Sequence, residues 1–256
     1  MGSNAGLEKA YFATGCFWGA ERRFWNLPGV IETSVGYMGG HKDNPTYEEV
    51  CSKDTNHAET VEVIFDPQQI SYQRLLAEFF EMHDPTSLNK QGGDIGTQYR
   101  SAIFYTTPEQ EALAFNAAKI YGRELAKDGM GPIVTEIEDA KPHKYWLAEE
   151  YHQKYLKKNP NGYDCHSSTG VTYPSVDESE LKKRLDPLSY EVLRKGATER
   201  PFTGEYTDTD KVGVYKCKAC SSELFRSETK FHSGCGWPSF YAPTEDDAVI
   251  LLEDRS

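Results

Sequence analysis

The stretch Ala10-Tyr11-Phe12-Ala13-Thr14-Gly15-Cys16-Phe17-Trp18-Gly19-Ala20 decides how the rest of the chain is read. Residues 10–15 form a short strand-like run. From Ala20 to Leu27 the apolar positions Phe24 and Leu27 fall at helical spacing, until Pro28-Gly29 ends the pattern. Cys16 therefore sits at a strand-to-helix turn, with Gly15 permitting a sharp bend. A thiol becomes a nucleophile only as its thiolate, and the positive end of a helix favours that anion. The plainer alternative is a buried cysteine packed beside the two adjacent aromatics.

Moving outward, residues 59–66 alternate, with Val61, Val63 and Phe65 on one face and Thr60, Glu62 and Asp66 on the other. By parity Glu59 points to the apolar side. A carboxylate there is costly unless paired, protonated or functional, and desolvation raises its pKa so that it can donate a proton near neutral pH. The alternative is a solvated residue at a frayed strand start. Tyr72–Met82 reads as a helix, Gln98–Tyr105 as a strand and Pro108 as the start of a long helix carrying Leu113, Ala117, Ile120 and Tyr121 on one face. Ile133–Ile137 is strand-like, and Tyr145–Lys157 reads as a helix before a Gly/Ser/Thr-rich tail, Gly162–Thr172. This alternation predicts an α/β domain, an α+β two-layer sandwich around a mixed sheet, over residues 7–171. A polar linker over 172–183 then leads to a small, mainly-β region over 184–256, where Gly, Pro, Thr and aromatic residues dominate.

Forty acidic against 28 basic residues give a net charge of −12 with no Lys/Arg block, which argues against a nucleic-acid partner. No apolar run approaches the roughly 20 residues of a membrane span, so a soluble protein is expected. Met1–Gly6 lacks the charged start and apolar stretch of a signal peptide and has the look of a cloning remnant. The expected compartment is the cytoplasm, or an extracytoplasmic one if a leader has been removed. Cys16, Cys51, Cys165, Cys217, Cys220 and Cys235 are too sparse and uneven for a disulfide framework, so redox chemistry or metal binding is the expectation.

Gly15-Cys16-Phe17-Trp18-Gly19 resembles the active-site signature of peptide methionine sulfoxide reductase A. Gly36-Tyr37 with Gly39-Gly40, Asn44-Pro45-Thr46-Tyr47, His57-Ala58-Glu59, His83-Asp84-Pro85 and Gly96-Thr97-Gln98-Tyr99-Arg100 resemble the same family's pattern in the same order. Reducing a sulfoxide needs a nucleophile for sulfur, a proton for the departing oxygen, hydrogen bonds that hold that oxygen, and an apolar socket for the methyl group. The resemblance implies that Cys16 attacks, Glu59 protonates, Tyr47 and Tyr99 hold the oxygen, Phe17 and Trp18 form the socket, and Asp94 fixes a water or polar contact. It further implies methionine-S-sulfoxide in oxidised proteins or peptides as substrate and a sulfenic acid on Cys16. Cys165 in a flexible tail would resolve that acid as a disulfide, which thioredoxin would reduce, with no bound cofactor. Cys51, His57 and His83 are expected to be structural.

Leu185-Asp186-Pro187-Leu188-Ser189-Tyr190, Arg200-Pro201-Phe202-Thr203-Gly204 and Ser233-Gly234-Cys235-Gly236-Trp237-Pro238-Ser239-Phe240 resemble the opening part of methionine sulfoxide reductase B, the enzyme of the opposite epimer. That family carries zinc on two Cys-x-x-Cys pairs and its nucleophile near the C-terminus. Here only Cys217 and Cys220 are present, a half site, so this region is expected to be incomplete, without R-epimer activity and doubtful in zinc. His232 and Cys235 complete a superficial ligand set, but position 232 is usually acidic in the family. Among other classes, a zinc-ribbon interaction protein leaves the first 170 residues idle. A cysteine hydrolase would need a base and orienter that the sequence does not offer.

Overall fold

The computed structural model describes residues 6–164, 167–174, 178–219, 222–245 and 248–249, the side chains of 178–180 excepted. The chain divides into two compact units, Met1–Ser175 and Val176–Ser256.

The strands of the first unit are β1 (Glu8–Thr14), β2 (Val30–Met38), β3 (Ala58–Phe65), the short hairpin β4 (Lys90–Gln91) and β5 (Asp94–Ile95), β6 (Ser101–Tyr105), β7 (Glu136–Asp139) and β8 (Trp146–Leu147). All but the hairpin join one mixed sheet of order β7-β6-β1-β3-β2-β8, in which only β6 and β7 run parallel. Its helices are α1 (Phe17–Trp25), α2 (Tyr47–Ser52), α3 (Tyr72–Met82), α4 (Pro108–Lys127) and the single turn α5 (Tyr155–Lys158). Local chemistry explains the starts. Ser71 accepts from Arg74 N ahead of α3, Thr107 accepts from Gln110 N with Pro108 at the first helical position of α4, and Thr46 with Glu49 forms a capping box on α2.

On β3, Glu59, Val61, Val63 and Phe65 share the buried face. They meet Phe12 and the helical residues Phe24, Leu75, Phe79, Phe80 and Tyr121 in one core. Phe12 stacks on Phe24 at 4.9 Å and tilts against Phe79 at 5.5 Å. Each side chain of this size contributes about 1.5–3 kcal/mol by leaving water. The opposite sheet face carries a smaller cluster of Ala13, Met38, Ala58, Ala102 and Phe104. A cleft of about 520 Å³ opens there between Tyr11, Tyr105 and Tyr145, and none of the sequence-derived site residues lines it.

Three elements differ from the sequence expectation. Residues 145–157 are not one helix: Trp146 and Leu147 pair with Tyr37 and Gly36, and Lys154 takes a left-handed φ of 51° before the single turn of α5. Gln153 explains why. Its side-chain amide accepts from Val35 N (2.9 Å) and donates to Val35 O (2.8 Å), so a side chain extends the sheet edge where a helix would leave that edge open. The strand expected at 133–137 is displaced to Glu136–Asp139 by parallel pairing with β6, while Val134 N bonds Pro85 O. The strand expected at 98–105 opens as a 3-10 turn over Thr97–Tyr99, leaving β6 to start at Ser101.

The second unit contains α6 (Glu178–Arg184), α7 (Pro187–Lys195), the antiparallel pair β9 (Val214–Lys216) and β10 (Glu223–Arg226), and the pair β11 (Lys230–Phe231) and β12 (Ser239–Phe240). Phe225 stacks on Phe240 at 4.4 Å, with Tyr215 against the same ring at 4.8 Å. Among the described residues, no helix of either unit is long and apolar enough to cross a membrane.

Candidate active site

Cys16 is the residue before α1, at the end of β1, and is buried. The turn depends on Gly15, whose φ is +95° and whose Cβ, if present, would fall 2.6 Å from the Gln91 side chain. Glu59, on the neighbouring strand β3, accepts from Phe17 N at 3.0 Å, the first helical N–H of α1. That N–H is among those a helix start leaves without an internal partner. Burial pushes the Glu59 carboxyl up to about 8 against the lowering effect of this bond, and Asp94 pushes the same way as burial. The acid is neutral at pH 7.

Tyr47 opens α2, and its hydroxyl is shifted upward by burial and by a hydrogen bond with the Cys51 thiol one turn later. Tyr99 is also raised by burial, then by the nearby charges of Glu59, Cys51, Asp94 and Cys16. Two tyrosines, two carboxyls and two thiols thus converge on one location although they come from five separate segments. Asp94 sits on the β4–β5 hairpin. Its Oδ1 accepts from Tyr163 at 3.3 Å, while its buried Oδ2 has no hydrogen-bond partner. An orphaned acceptor of this kind at a reaction centre is a natural seat for a water or a substrate N–H.

Phe17 is buried against Tyr37 (5.9 Å between rings) and His152 (5.1 Å). Trp18 is half-buried, stacked on Tyr155 at 3.7 Å with an interplanar angle of 14°, and its indole Nε1–H donates to His152 Nδ1 at 2.9 Å. Sequence reasoning missed His152 and Glu149. Glu149 accepts from Tyr47 N at 2.9 Å and from the Tyr37 hydroxyl at 2.8 Å, which fixes the start of α2. Burial pushes Glu149 upward, but these bonds outweigh it and leave the carboxyl below its usual range. Both residues were hidden by reading their segment as an amphipathic helix. The available signal was an acid and a histidine three apart in a run of aromatics ahead of Cys165.

Cys165 lies outside the described residues, as does Cys220. The tail around Cys165 was expected to be flexible, yet its described parts are tied down on both sides. Tyr163 bonds Asp94 and Asp164 pairs with Arg22 of α1, while Tyr121 holds Thr169 and Val171 O, and Tyr173 N donates to Glu81. Aromatic contacts and carboxylate pairs, absent from the tail's small-residue composition, supply the anchoring.

His57 is buried and neutral in character, since burial lowers its pKa. It accepts from Gly40 N on Nδ1 and donates from Nε2 to Lys42 O. His83 bridges Phe79 O and the Ser101 hydroxyl. In the second unit Cys235 is exposed, bonded by the Ser233 hydroxyl at 2.9 Å and close to that of Ser239, and these contacts lower its pKa to about 7. The Trp237 indole donates to Glu199 O. Among the described residues no three His, Cys, Asp or Glu side chains are grouped as metal ligands, and the Cys235 sulfur faces hydroxyls instead of Cys217.

A neutral acid next to a sulfur nucleophile, with hydroxyl donors and an aromatic wall, suits the removal of oxygen from a polarised centre by thiols. Fold and site together define a thiol-dependent oxidoreductase. Residues 8–185 match the family model for peptide methionine sulfoxide reductase, and residues 185–256 match that of the SelR domain. Over 170 residues the chain is 56% identical to the peptide methionine sulfoxide reductase MsrA of Azotobacter vinelandii, covering 66% of this chain and 78% of that protein. The solved structure of methionine sulfoxide reductase A of Corynebacterium diphtheriae is similar at 46% identity with a TM-score of 0.61, over 68% of this chain and 85% of that one. Reduced Mxr1 of Saccharomyces cerevisiae is similar at 38% identity with a TM-score of 0.57, over 66% and 94%. The chain belongs to the peptide methionine sulfoxide reductase family, on its A branch, and its reaction is the reduction of methionine sulfoxide.

Proposed function

We propose that the first unit reduces the S epimer of methionine sulfoxide in proteins and peptides, without a bound cofactor, and is recycled by thioredoxin. Glu59 carries this reading: a carboxyl raised to about 8 beside the Cys16 turn is protonated at neutral pH and able to give its proton to the sulfoxide oxygen. The Cys16 sulfur attacks the substrate sulfur as that oxygen is protonated. Breaking the S–O bond then releases methionine and leaves Cys16 as a sulfenic acid. Tyr47 and Tyr99 donate to the oxygen, and Phe17 with Trp18 receives the methyl group. Oxygen, methyl and the remaining chain are thereby each assigned a direction around sulfur, and such a site accepts one hand. Cys165 attacks the sulfenic acid, releasing water and forming a disulfide that an external dithiol reduces. Tyr163 and Asp164, the two residues before Cys165, bond to Asp94 and Arg22, which favours this assignment. A reducing compartment, the cytoplasm, supplies the dithiol. In the second unit we propose reduced thiols at Cys217 and Cys220 in place of a complete zinc site.

The test is thioredoxin-coupled turnover on the separate S and R sulfoxides of a methionine-containing peptide. Wild type should turn over the S epimer and Cys16→Ser should not, because a hydroxyl is a far weaker nucleophile than a thiolate. Cys165→Ser should release one methionine per enzyme and then stop. Sustained turnover by Cys16→Ser, or a disulfide joining Cys16 to another cysteine after one turnover, would refute the scheme.

A further inference from the structure

We propose that His152 is a positioning residue for the substrate's methyl pocket, holding the Trp18 indole edge through Nδ1 so that the ring presents one fixed wall. This role rests on the reading of Trp18 as that wall.

An indole N–H can only donate, so at 2.9 Å the His152 Nδ1 must be the acceptor, and the neutral ring carries its single proton on Nε2. Burial lowers the pKa of this imidazole, which keeps the accepting lone pair available. The ring is 1% exposed and enclosed by Phe17 at 5.1 Å, Trp18 at 5.7 Å, Tyr47 at 4.6 Å and Tyr151 at 4.1 Å between centroids. It has no room to turn away.

Its other nitrogen is the informative one. Nε2 is buried without a hydrogen-bond partner, and the Glu149 carboxylate is 3.9 Å away, beyond hydrogen-bonding range. A buried donor left unmade is a cost that a phenylalanine or leucine in the same space would avoid. Packing alone therefore does not account for an imidazole here, and the acceptor on Nδ1 does.

Trp18 is held a second way, by its face. Tyr155 stacks on it at 3.7 Å, and Tyr155 is delivered there by Lys154, whose backbone N donates to the buried Glu21 Oε2 of α1 at 2.9 Å. Stacking alone lets an indole slide and rotate in its own plane. The bond to His152 removes that freedom, so face and edge together define the ring. A methyl pocket is occupied alike in the bound substrate and in the transition state, so loosening its wall weakens both equally and appears in KM while kcat is kept.

The experiment compares His152→Phe, which keeps bulk and loses the acceptor, with His152→Asn, whose side-chain oxygen can occupy the Nδ1 position. For a peptide methionine sulfoxide, His152→Phe should raise KM roughly 3- to 10-fold, the ordinary worth of one hydrogen bond, with kcat within about twofold. His152→Asn should restore most of the KM. Independently, of the four tryptophan indole N–H signals in a nitrogen-15 NMR spectrum, that of Trp18, assigned by its loss in Trp18→Phe, should lie downfield in wild type and in His152→Asn and move upfield in His152→Phe. Equal KM losses in both His152 variants, a fall in kcat with KM unchanged, or a wild-type Trp18 signal at the position of an unbonded indole would each overturn the proposal. The last outcome needs no His152 variant to fold. If Trp18→Phe itself leaves KM untouched, the pocket reading has failed. If Trp18→Phe raises KM and His152→Phe does not, only the positioning role has failed.

Discussion

At the scale of single residues, Glu59 combines catalytic fitness with a cost in stability. Its carboxyl ionises near 4.5 when the chain is unfolded and near 8 when folded, because burial disfavours the anion. The native state is therefore most favoured, on this account, below the unfolded value. That contribution is lost progressively as pH rises from about 4.5 through about 8. At pH 7 the deficit is on the order of 3 kcal/mol. Glu59→Gln should accordingly unfold at higher denaturant concentration than wild type at pH 8, with the difference shrinking toward pH 5, while turnover falls about 100- to 10,000-fold. Wild-type turnover should decline as pH rises through about 8, where the proton is lost, and the variant's residual rate should lack that limb. Equal stability of the two proteins at pH 8 would mean that the carboxyl is solvated. Alternation along β3 assigns Glu59 to the apolar face from sequence, but the degree of burial that lifts its pKa comes from α1 and the β4–β5 hairpin closing over it.

At the scale of elements, the turn between β1 and α1 and the segment from Trp146 to Lys158 behave as opposite cases. Local chemistry alone dictates the first. Gly15-Cys16 follows an extended run and precedes a helical one, and no side chain fits where Gln91 presses on Gly15. Gln91 cannot yield cheaply, since its amide bonds both Asp84 N and Asp84 O. Gly15→Ala should cost about 1–3 kcal/mol, the usual range for a side chain forced into positive φ, and should lower kcat because Cys16 moves with the turn. Thermal denaturation and steady-state turnover check this, and an unshifted melting temperature would contradict it. The second segment carries helical periodicity yet is mostly strand and turn, because Gln153, Lys154 and Glu149 bond to Val35, Glu21 and Tyr47, residues that lie more than 100 positions earlier. Partners that distant leave no trace in a local pattern, and with them His152 went unread.

At the scale of the whole molecule, the two units differ in how much they bury. The first closes a core of aromatic and aliphatic residues around a six-stranded sheet. Among the described residues of the second, only Leu181 and Leu185 are buried apolar side chains, alongside an aromatic group built on Phe225 and Phe240. A unit with so little burial scarcely offsets its chain entropy. Limited trypsin treatment should therefore cut at Lys182, Lys183 or Arg184 and digest the second unit first, leaving a resistant fragment that keeps full activity on the S sulfoxide. Resistance of the intact chain, or loss of S-epimer turnover on cleavage, would show that the first unit depends on the second.

The order of motifs from Gly15 to Arg100, the β1–α1 turn and the parity of Glu59 were determined by the sequence itself, because each depends on residues within a few positions of one another. Tertiary structure alone decided that Tyr47, Tyr99, Asp94 and Glu59 surround one point, that burial holds Glu59 neutral, that the tail near Cys165 is anchored by Arg22 and Tyr121, and that His152 meets the Trp18 indole across 134 positions of chain. Spacing and periodicity report what neighbouring residues do to the backbone. Desolvation and long-range hydrogen bonds exist only once the sheet has brought distant segments together.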